Sequence, residues 1–107
     1  MLSNYHMPIS KKAIMTVLFG IPDPELGVSL VDLGLIYDVT VHKDGVVDIL
    51  MTLTTMGCPL FGMIEGEIAK AVGAVPGVTK VNIELTFEPP WSADRMSESA
   101  KIELGFL

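Results

Sequence analysis

Hydrophobic and polar residues alternate along three stretches of the chain, as in β-strands with one buried and one exposed face. The stretches are residues 36–42, 46–53 and 78–87. Lys43-Asp44-Gly45 separates the first two stretches. An Asp-Gly pair supplies the backbone geometry of a tight hairpin, so these two strands should pair antiparallel.

Three other stretches carry hydrophobic residues at the spacing of an amphipathic helix. The first begins after Ser10, whose hydroxyl suits an N-cap, and ends at Gly20. The second occupies residues 60–75, and the third occupies residues 92–104. Residues 28–35 fit neither pattern, and we interpret them as a loop with one helical turn. Three glycines in the second helix are interpreted as points of close packing on the sheet: Gly62, Gly66 and Gly73.

These elements predict a single α+β domain with the order α-β-β-α-β-α. Because each strand alternates, one face of the sheet should be buried, with the helices covering it in a two-layer α/β sandwich. The strands at 46–53 and 78–87 are joined through a helix, which favours a parallel pair and a mixed three-stranded sheet. We expect a tail at residues 1–9 and one domain at residues 10–107, a length typical of a single domain.

Composition and charge exclude several classes of function. The formal net charge is −6, and no basic run is longer than Lys11-Lys12, so the chain should bind neither nucleic acid nor an anionic membrane. The sequence contains no CxxC pair, no zinc-ligand spacing, no GxGxxG and no P-loop. A single cysteine cannot form an intrachain disulfide and fits a reducing compartment, so we expect a cytoplasmic protein.

The single cysteine, Cys58, follows Thr54, Thr55 and Gly57 at the predicted boundary between the second strand and the second helix. A helix N-terminus offers free N–H groups and the positive end of the helix dipole, and both favour a thiolate. The two threonine hydroxyls can donate hydrogen bonds to the sulfur or to a ligand. Free cysteine is also among the most buried residue types, so the spacing leaves a reactive thiol and a core residue both open.

Other polar and aromatic residues are candidates for chemistry or binding. Asp23 and Glu25 lie two positions apart in a loop, where they can bind a metal, act as a base, or form an acidic turn capped by Asp23. Trp91 can close the core, contact a partner or line a pocket. Arg95 can pair with a carboxylate, bind an anion, or lie on a solvated helix face. His42, at the hairpin end, is interpreted as a solvated side chain.

Four motifs occur in order along the chain: Asp23-Pro24-Glu25-Leu26, Val31-Asp32-Leu33-Gly34-Leu35-Ile36-Tyr37, Thr54-Thr55-x-Gly57-Cys58-Pro59, and Pro89-Pro90-Trp91-Ser92 with Arg95-Met96-Ser97. This set resembles the SufT/PaaD-like iron–sulfur assembly domain family over about residues 10–105. The resemblance implies the α/β fold of iron–sulfur assembly domains. It also implies a factor in iron–sulfur cluster assembly or in the maturation of cluster proteins, rather than an enzyme.

The resemblance also assigns roles to residues of the first and third motifs. The cysteine matching Cys58 is the reactive or metal-facing residue of the family. The residues that match the lining of the same pocket are Asp23, Glu25, Thr54 and Thr55. Trp91 and Arg95 in the fourth motif are the candidates for partner binding.

The number of cysteines limits what such a site can hold. A [2Fe–2S] or [4Fe–4S] cluster typically takes about four cysteine ligands. One chain offers one thiolate, and a symmetric dimer offers two. We therefore expect no tightly bound cluster. Cys58 should contact iron or a cluster transiently, or dock a client apoprotein, with the assembly machinery completing the ligand set; a homodimer is left open.

Two departures from the family pattern bear on its branches. Met56 stands where the family often has proline, so the loop before Cys58 should be less rigid. The chain ends at Leu107 without the cysteine-rich segment common in the PaaD-like branch, so we favour the SufT-like branch. Three alternatives stay open at this point. The first is a thiol enzyme with Cys58 as nucleophile and Asp23 or Glu25 as base. The others are a PaaD-like accessory protein of an aromatic-degradation oxygenase and an interaction module that docks through Trp91.

Overall fold

A computed structural model describes residues 9–54 and 61–106 of the chain. The helices and strands in these ranges are, in order, α1 (Lys11–Phe19), β1 (Ile36–Val41), β2 (Val46–Met51), α2 (Phe61–Gly73), β3 (Lys80–Leu85), a 3-10 helix (Ala93–Arg95) and α3 (Glu98–Glu103). The α-helices and strands follow the predicted order. The strands are shorter than their alternating patterns, because alternation continues past the last ladder hydrogen bond.

The sheet has the order β1-β2-β3 with β2 in the centre. β1 and β2 pair antiparallel, with Val39 opposite Ile49. β2 and β3 pair parallel, with Ile49 opposite Ile83. The predicted mixed three-stranded sheet is therefore confirmed, and the hairpin at Lys43-Asp44-Gly45 joins its antiparallel pair.

One face of the sheet forms the core with the helices, as the alternation predicts. The odd-numbered side chains of β2 are fully buried, and they pack with buried residues of α1 and α2. The residues that build this layer are Val47, Ile49, Met51, Ile14, Leu18, Ile64, Ile68 and Val72. The segment before β1 adds Leu30, Leu33 and Leu35, each no more than 1% exposed, from a run of turns. This α+β arrangement confirms the predicted fold class.

Side-chain caps define where the first helix begins. The Ser10 hydroxyl accepts a hydrogen bond from the Ala13 N–H at 3.0 Å, and the chain leaves the helix at Gly20. Both ends of α1 match the predicted ends, because a serine N-cap and a terminal glycine are local signals. Within the described residues, no helix combines the length and the apolar character needed to cross a membrane.

The predicted single helix at residues 92–104 is wrong. The segment divides into the 3-10 helix and α3, with Met96 in an extended conformation between them. Ser97 caps α3, since its hydroxyl accepts from the Ala100 N–H at 3.1 Å. The Ser97 N–H donates to the carbonyl oxygen of Asp32 at 2.7 Å, far away in sequence. This tertiary hydrogen bond, together with the new N-cap, interrupts the helix.

The interpretation of the α2 glycines as points of close packing on the sheet is also wrong. Side chains of α2 that face the core belong to Ile64, Ile68 and Val72, whereas Gly66 and Gly73 lie on the exposed side. A Cβ atom built at either glycine meets no described atom within 4 Å. These glycines therefore lower the helix propensity of α2 without a packing reason in the described structure.

We expect Gly66→Ala to raise the free energy of unfolding by about 0.5–1 kcal/mol, because alanine restricts the unfolded chain and fills only open space. Urea denaturation followed by circular dichroism measures the change. The reverse exchange at a neighbouring exposed position of α2, Ala69→Gly, is the matched control and should lower stability by a similar amount. A loss of stability in Gly66→Ala would show that the glycine face is covered.

Candidate functional site

The connection from β2 to α2 carries the cysteine motif. Thr52 and Leu53 are still buried after the strand ends, and the Thr52 N–H donates to the Leu35 carbonyl oxygen at 2.8 Å. Thr54 is the first exposed residue of the connection. The predictions for Thr55 and Cys58 fall outside the described residues. The chain is thus anchored in the core up to Leu53 and reaches the surface at Thr54.

The topology gives this connection a definite place relative to the sheet. β2 and β3 are parallel, and α2 is the crossover between them. The connection therefore leaves the carboxyl end of the central strand and leads to the N-terminus of a 13-residue helix. Ligands of α/β proteins commonly bind at the carboxyl ends of parallel strands, where helix N-termini supply N–H groups. This position is consistent with a functional role for the cysteine motif.

The acidic loop folds around Asp23. Its Oδ1 atom accepts hydrogen bonds from the N–H groups of Glu25 at 2.8 Å and Leu26 at 3.0 Å. The Asp23 N–H donates to the Val28 carbonyl oxygen, and the Gly27 N–H donates to the Asp23 carbonyl oxygen, each at 2.8 Å. Of the roles left open by the sequence, the structure shows the capped acidic turn. Asp23 is half-buried and Glu25 is exposed.

The described residues contain no cluster of three or more His, Cys, Asp or Glu side chains suited to hold a metal ion. Asp23 and Glu25 therefore do not form a three-ligand site with any other described side chain. A metal bound at the acidic loop would need ligands from outside residues 9–54 and 61–106, or from another protein. The pocket that unites these carboxylates with Cys58 and Thr54 stays a prediction.

The second and fourth motifs contact each other in a region that we call the C-terminal clasp, formed by residues 32–37 and 89–97. The Trp91 Nε1–H donates to the Leu33 carbonyl oxygen at 2.7 Å. The Tyr37 hydroxyl donates to the Pro89 carbonyl oxygen at 2.8 Å. The segment after β3 is thereby fastened to the segment that leads into β1.

Arg95 adds two contacts to the clasp. Its guanidinium carbon lies 4.5 Å from the centroid of the Tyr37 ring, within the range of a cation–π interaction. Its backbone packs directly on Gly34, which has a φ of +76°. A Cβ atom at Gly34 would lie 2.8 Å from the Arg95 carbonyl carbon, so this approach needs glycine.

The clasp bears on the prediction that Trp91 and Arg95 bind a partner. Trp91 is half-buried, packs against the core, and has its N–H bonded within the chain. Trp91 therefore closes the core, one of its three open roles, and its contact with a partner stays a prediction. Arg95 is exposed, and its binding of an anionic partner stays a prediction. Sequence reasoning missed the clasp itself; the available signal was the Trp91 N–H, which needs a hydrogen-bond acceptor when the side chain is half-buried.

His42 is exposed, as interpreted from the sequence, but its side chain also contacts Asp48. Its Nε2 atom lies 2.7 Å from Oδ2 of Asp48, and the Asn82 amide donates to Oδ1 of the same carboxylate at 2.9 Å. The Asn82 hydrogen bond, and after it the one with His42, lowers the pKa of Asp48 below its ordinary value. These residues lie on the outer face of the sheet, where the alternating pattern places them on adjacent strands.

Comparison with known proteins shows which protein family the chain belongs to. The model of the family described as iron–sulfur cluster assembly protein matches residues 11–85. The matched span includes α1, α2, all three described strands and the first three motifs, and it ends before the residues that form the C-terminal half of the clasp. The match therefore covers most of the chain and both sides of the cysteine motif.

Individual relatives agree with the family match. The chain is 48% identical over 95 residues to the Fe-S protein maturation auxiliary factor YitW of Bacillus subtilis, covering 89% of this chain and 93% of that protein. It is 42% identical over 83 residues to the Fe-S protein maturation auxiliary factor SufT of Staphylococcus aureus, covering 78% and 94%. The fold is similar to the crystal structure of the domain of unknown function DUF59 from Bacillus anthracis, with a TM-score of 0.85, 41% identity, and coverage of 91% and 92%.

Proposed function

Because the chain belongs to the iron–sulfur cluster assembly protein family, we propose that it is a SufT-like maturation factor that works through Cys58. Its role in iron–sulfur cluster assembly and maturation is the role that its family and its relatives share. Membership confirms the resemblance that the four motifs indicate. The single observation that carries the proposal is similarity to maturation factors over nearly their whole length.

Within this role, we propose that iron or an iron–sulfur cluster is cargo and not a resident cofactor. One chain contributes a single thiolate, whereas a cluster typically takes about four cysteine ligands. Asp23 and Glu25 supply oxygen, which is a poor ligand for a cluster of this type. The remaining ligands would come from a partner, and this arrangement favours a short-lived contact and release.

The partners that fit this role are the iron–sulfur assembly machinery and client apoproteins. A maturation factor must release what it delivers, so its contacts should be reversible, and no bond of a small-molecule substrate needs to be broken. We therefore propose a non-enzymatic function in the cytoplasm. The names of the relatives, which describe maturation auxiliary factors, support this proposal over a thiol enzyme.

Removal of the protein from its host tests the proposed function. The activities of iron–sulfur enzymes should fall several-fold while the amounts of these enzymes stay constant, because apoproteins accumulate without their clusters. Enzymes that contain no cluster serve as the control and should be unaffected. Re-expression of the wild-type chain should restore the activities. Unchanged activity of cluster enzymes under both iron-replete and iron-limited growth would contradict the proposal.

A further inference from the structure

The free edge of β3 differs from the free edge of β1. β1 is interrupted by a register shift between Ile36 and Asp38, and the Lys11 side chain reaches Asp38 at 3.6 Å. β3 pairs with β2 residue by residue from Lys80 to Leu85 without a bulge or a proline. Bulges, proline, covering segments and charged side chains are the usual protection against strand addition. Among the described strands, β3 is the one whose edge lacks the first three, and its charges, Lys80 and Glu84, are of opposite sign.

The apolar layer of the sheet also stays open at this edge. In β2, Val47, Ile49 and Met51 are no more than 1% exposed. Their partners in β3 are Val81, Ile83 and Leu85, and all three are only half-buried. The core layer thus continues into β3 but is not completely covered there. A further strand on this edge would extend the layer and bury more of these side chains.

The backbone of β3 presents hydrogen-bonding groups along the same edge. The Thr86 N–H donates to the Met51 carbonyl oxygen. In a parallel ladder, this bond determines which residues of β3 direct their backbone groups toward β2. Even-numbered residues of β3 therefore bond to β2, and the N–H and C=O groups of Val81 and Ile83 point away from it. No described segment outside the sheet forms a backbone hydrogen bond with these two residues.

We propose that a second copy of this chain pairs with this edge, β3 against β3 and antiparallel, to form a continuous six-stranded sheet. In the pairing that we propose, Asn82 lies opposite Asn82 of the second copy on the two-fold axis. Lys80 then lies opposite Glu84 of the second copy, and the reverse pair repeats across the axis. Val81 lies opposite Ile83 of the second copy, so the apolar rows join on the core side.

Charge and hydrogen bonding select this register. Val81 and Ile83 both direct their backbone groups outward, so each pair exchanges two hydrogen bonds in an antiparallel ladder. Opposite charges directly across an antiparallel pair are stabilising, and like charges are destabilising. A register centred on Ile83 would place Lys80 opposite a threonine and leave both charges without a partner. A slip by one residue would place Val81 opposite the charged Glu84.

The size of the interface predicts how strong the association is. In this register five residues of each β3, Lys80 to Glu84, face one another over about 17 Å, so the contact is much smaller than a typical stable interface. The dimer should therefore form reversibly, in the micromolar range of concentration or above. The proposal does not rest on the proposed maturation function, because it concerns an edge of the sheet and needs neither metal nor client.

Sedimentation of the full chain over a wide range of concentration tests the proposal. Lys80→Glu alone and Glu84→Lys alone should each weaken the dimer about tenfold, since each creates two like-charged pairs. An equimolar mixture of the two variants should form a heterodimer in which every such pair is attractive again. The double variant Lys80→Glu/Glu84→Lys should also recover the dimer. Lys12→Glu and Glu67→Lys are exposed controls with the same changes in net charge and should leave the dimer unchanged.

Three results would overturn the proposal. The first is a wild-type chain that remains monomeric up to high micromolar concentration. The second is a dimer that neither single charge reversal weakens. The third is a weakened dimer that neither the mixture nor the double variant restores, which would place the interface elsewhere. Thermal unfolding of each variant at low concentration verifies that the monomer is folded.

Discussion

A strain whose only copy of this protein carries Cys58→Ala should mature its iron–sulfur enzymes no better than a strain without the protein. Cys58 is the only thiol in the chain, and alanine offers iron, a cluster or a client no sulfur ligand. The measurement compares cluster-enzyme activities in the deletion strain after expression of wild-type or variant protein. We expect the variant to stay at the level of the deletion strain.

A second substitution separates the thiolate from the shape of the side chain. Cys58→Ser keeps a similar volume and a hydrogen-bonding group but cannot form a thiolate at neutral pH, so it should fail as well. Immunoblots and thermal unfolding must show that both variants accumulate and fold like the wild type. Full restoration of enzyme activity by either variant would contradict a central role for the thiol, even if the protein itself is required.

Gly34→Ala should lower the free energy of unfolding by roughly 3 kcal/mol or more, which is a large effect for one methyl group. The left-handed backbone at φ +76° costs alanine about 1–2 kcal/mol by itself. The added methyl also meets the backbone of Arg95, where the C-terminal clasp holds the two segments together. Relief of this overlap requires the clasp to open. Urea denaturation of wild type and variant measures the loss.

Gly27 provides the matched control. It has a similar φ of +71°, but a Cβ atom there meets no described atom within 4 Å. Gly27→Ala should therefore lose only about 1–2 kcal/mol, the cost of the backbone conformation. The difference between the two variants isolates the overlap at the clasp. Equal losses would mean that residues 89–97 do not pack on Gly34 in solution.

The sequence predicts the layered fold well because its strongest signals are local. Alternation places Val47, Ile49 and Met51 in the core, and the Asp-Gly turn determines the antiparallel pair. The Ser10 cap is read from neighbouring residues alone. The last helix could not be placed in the same way. A hydrogen bond between Ser97 and Asp32 interrupts it, and no local pattern contains that contact.

Only those features of the candidate site that depend on residues close together in the sequence could be predicted. The position of Cys58 between a strand and a helix follows from periodicity, and the Asp23 turn is one of the roles that its spacing allows. The bond from Trp91 to Leu33 joins residues 58 positions apart. Its acceptor is a backbone oxygen, which every residue carries, so composition offers no means of choosing it. The contact of His42 is a different case, because Asp48 is a side-chain acceptor only six positions away on the polar face of the predicted hairpin.

The clasp has a consequence for how long the protein stays folded. It closes a loop that contains all three described strands and α2, and contacts so distant in sequence carry a high entropic cost before they form. The clasp should therefore assemble late in folding, after the sheet. Contacts absent from the folding transition state act mainly on the unfolding rate. Residues 89–97 lie beyond the span that the family model matches. Substitutions in this segment should therefore change the unfolding rate more than the folding rate.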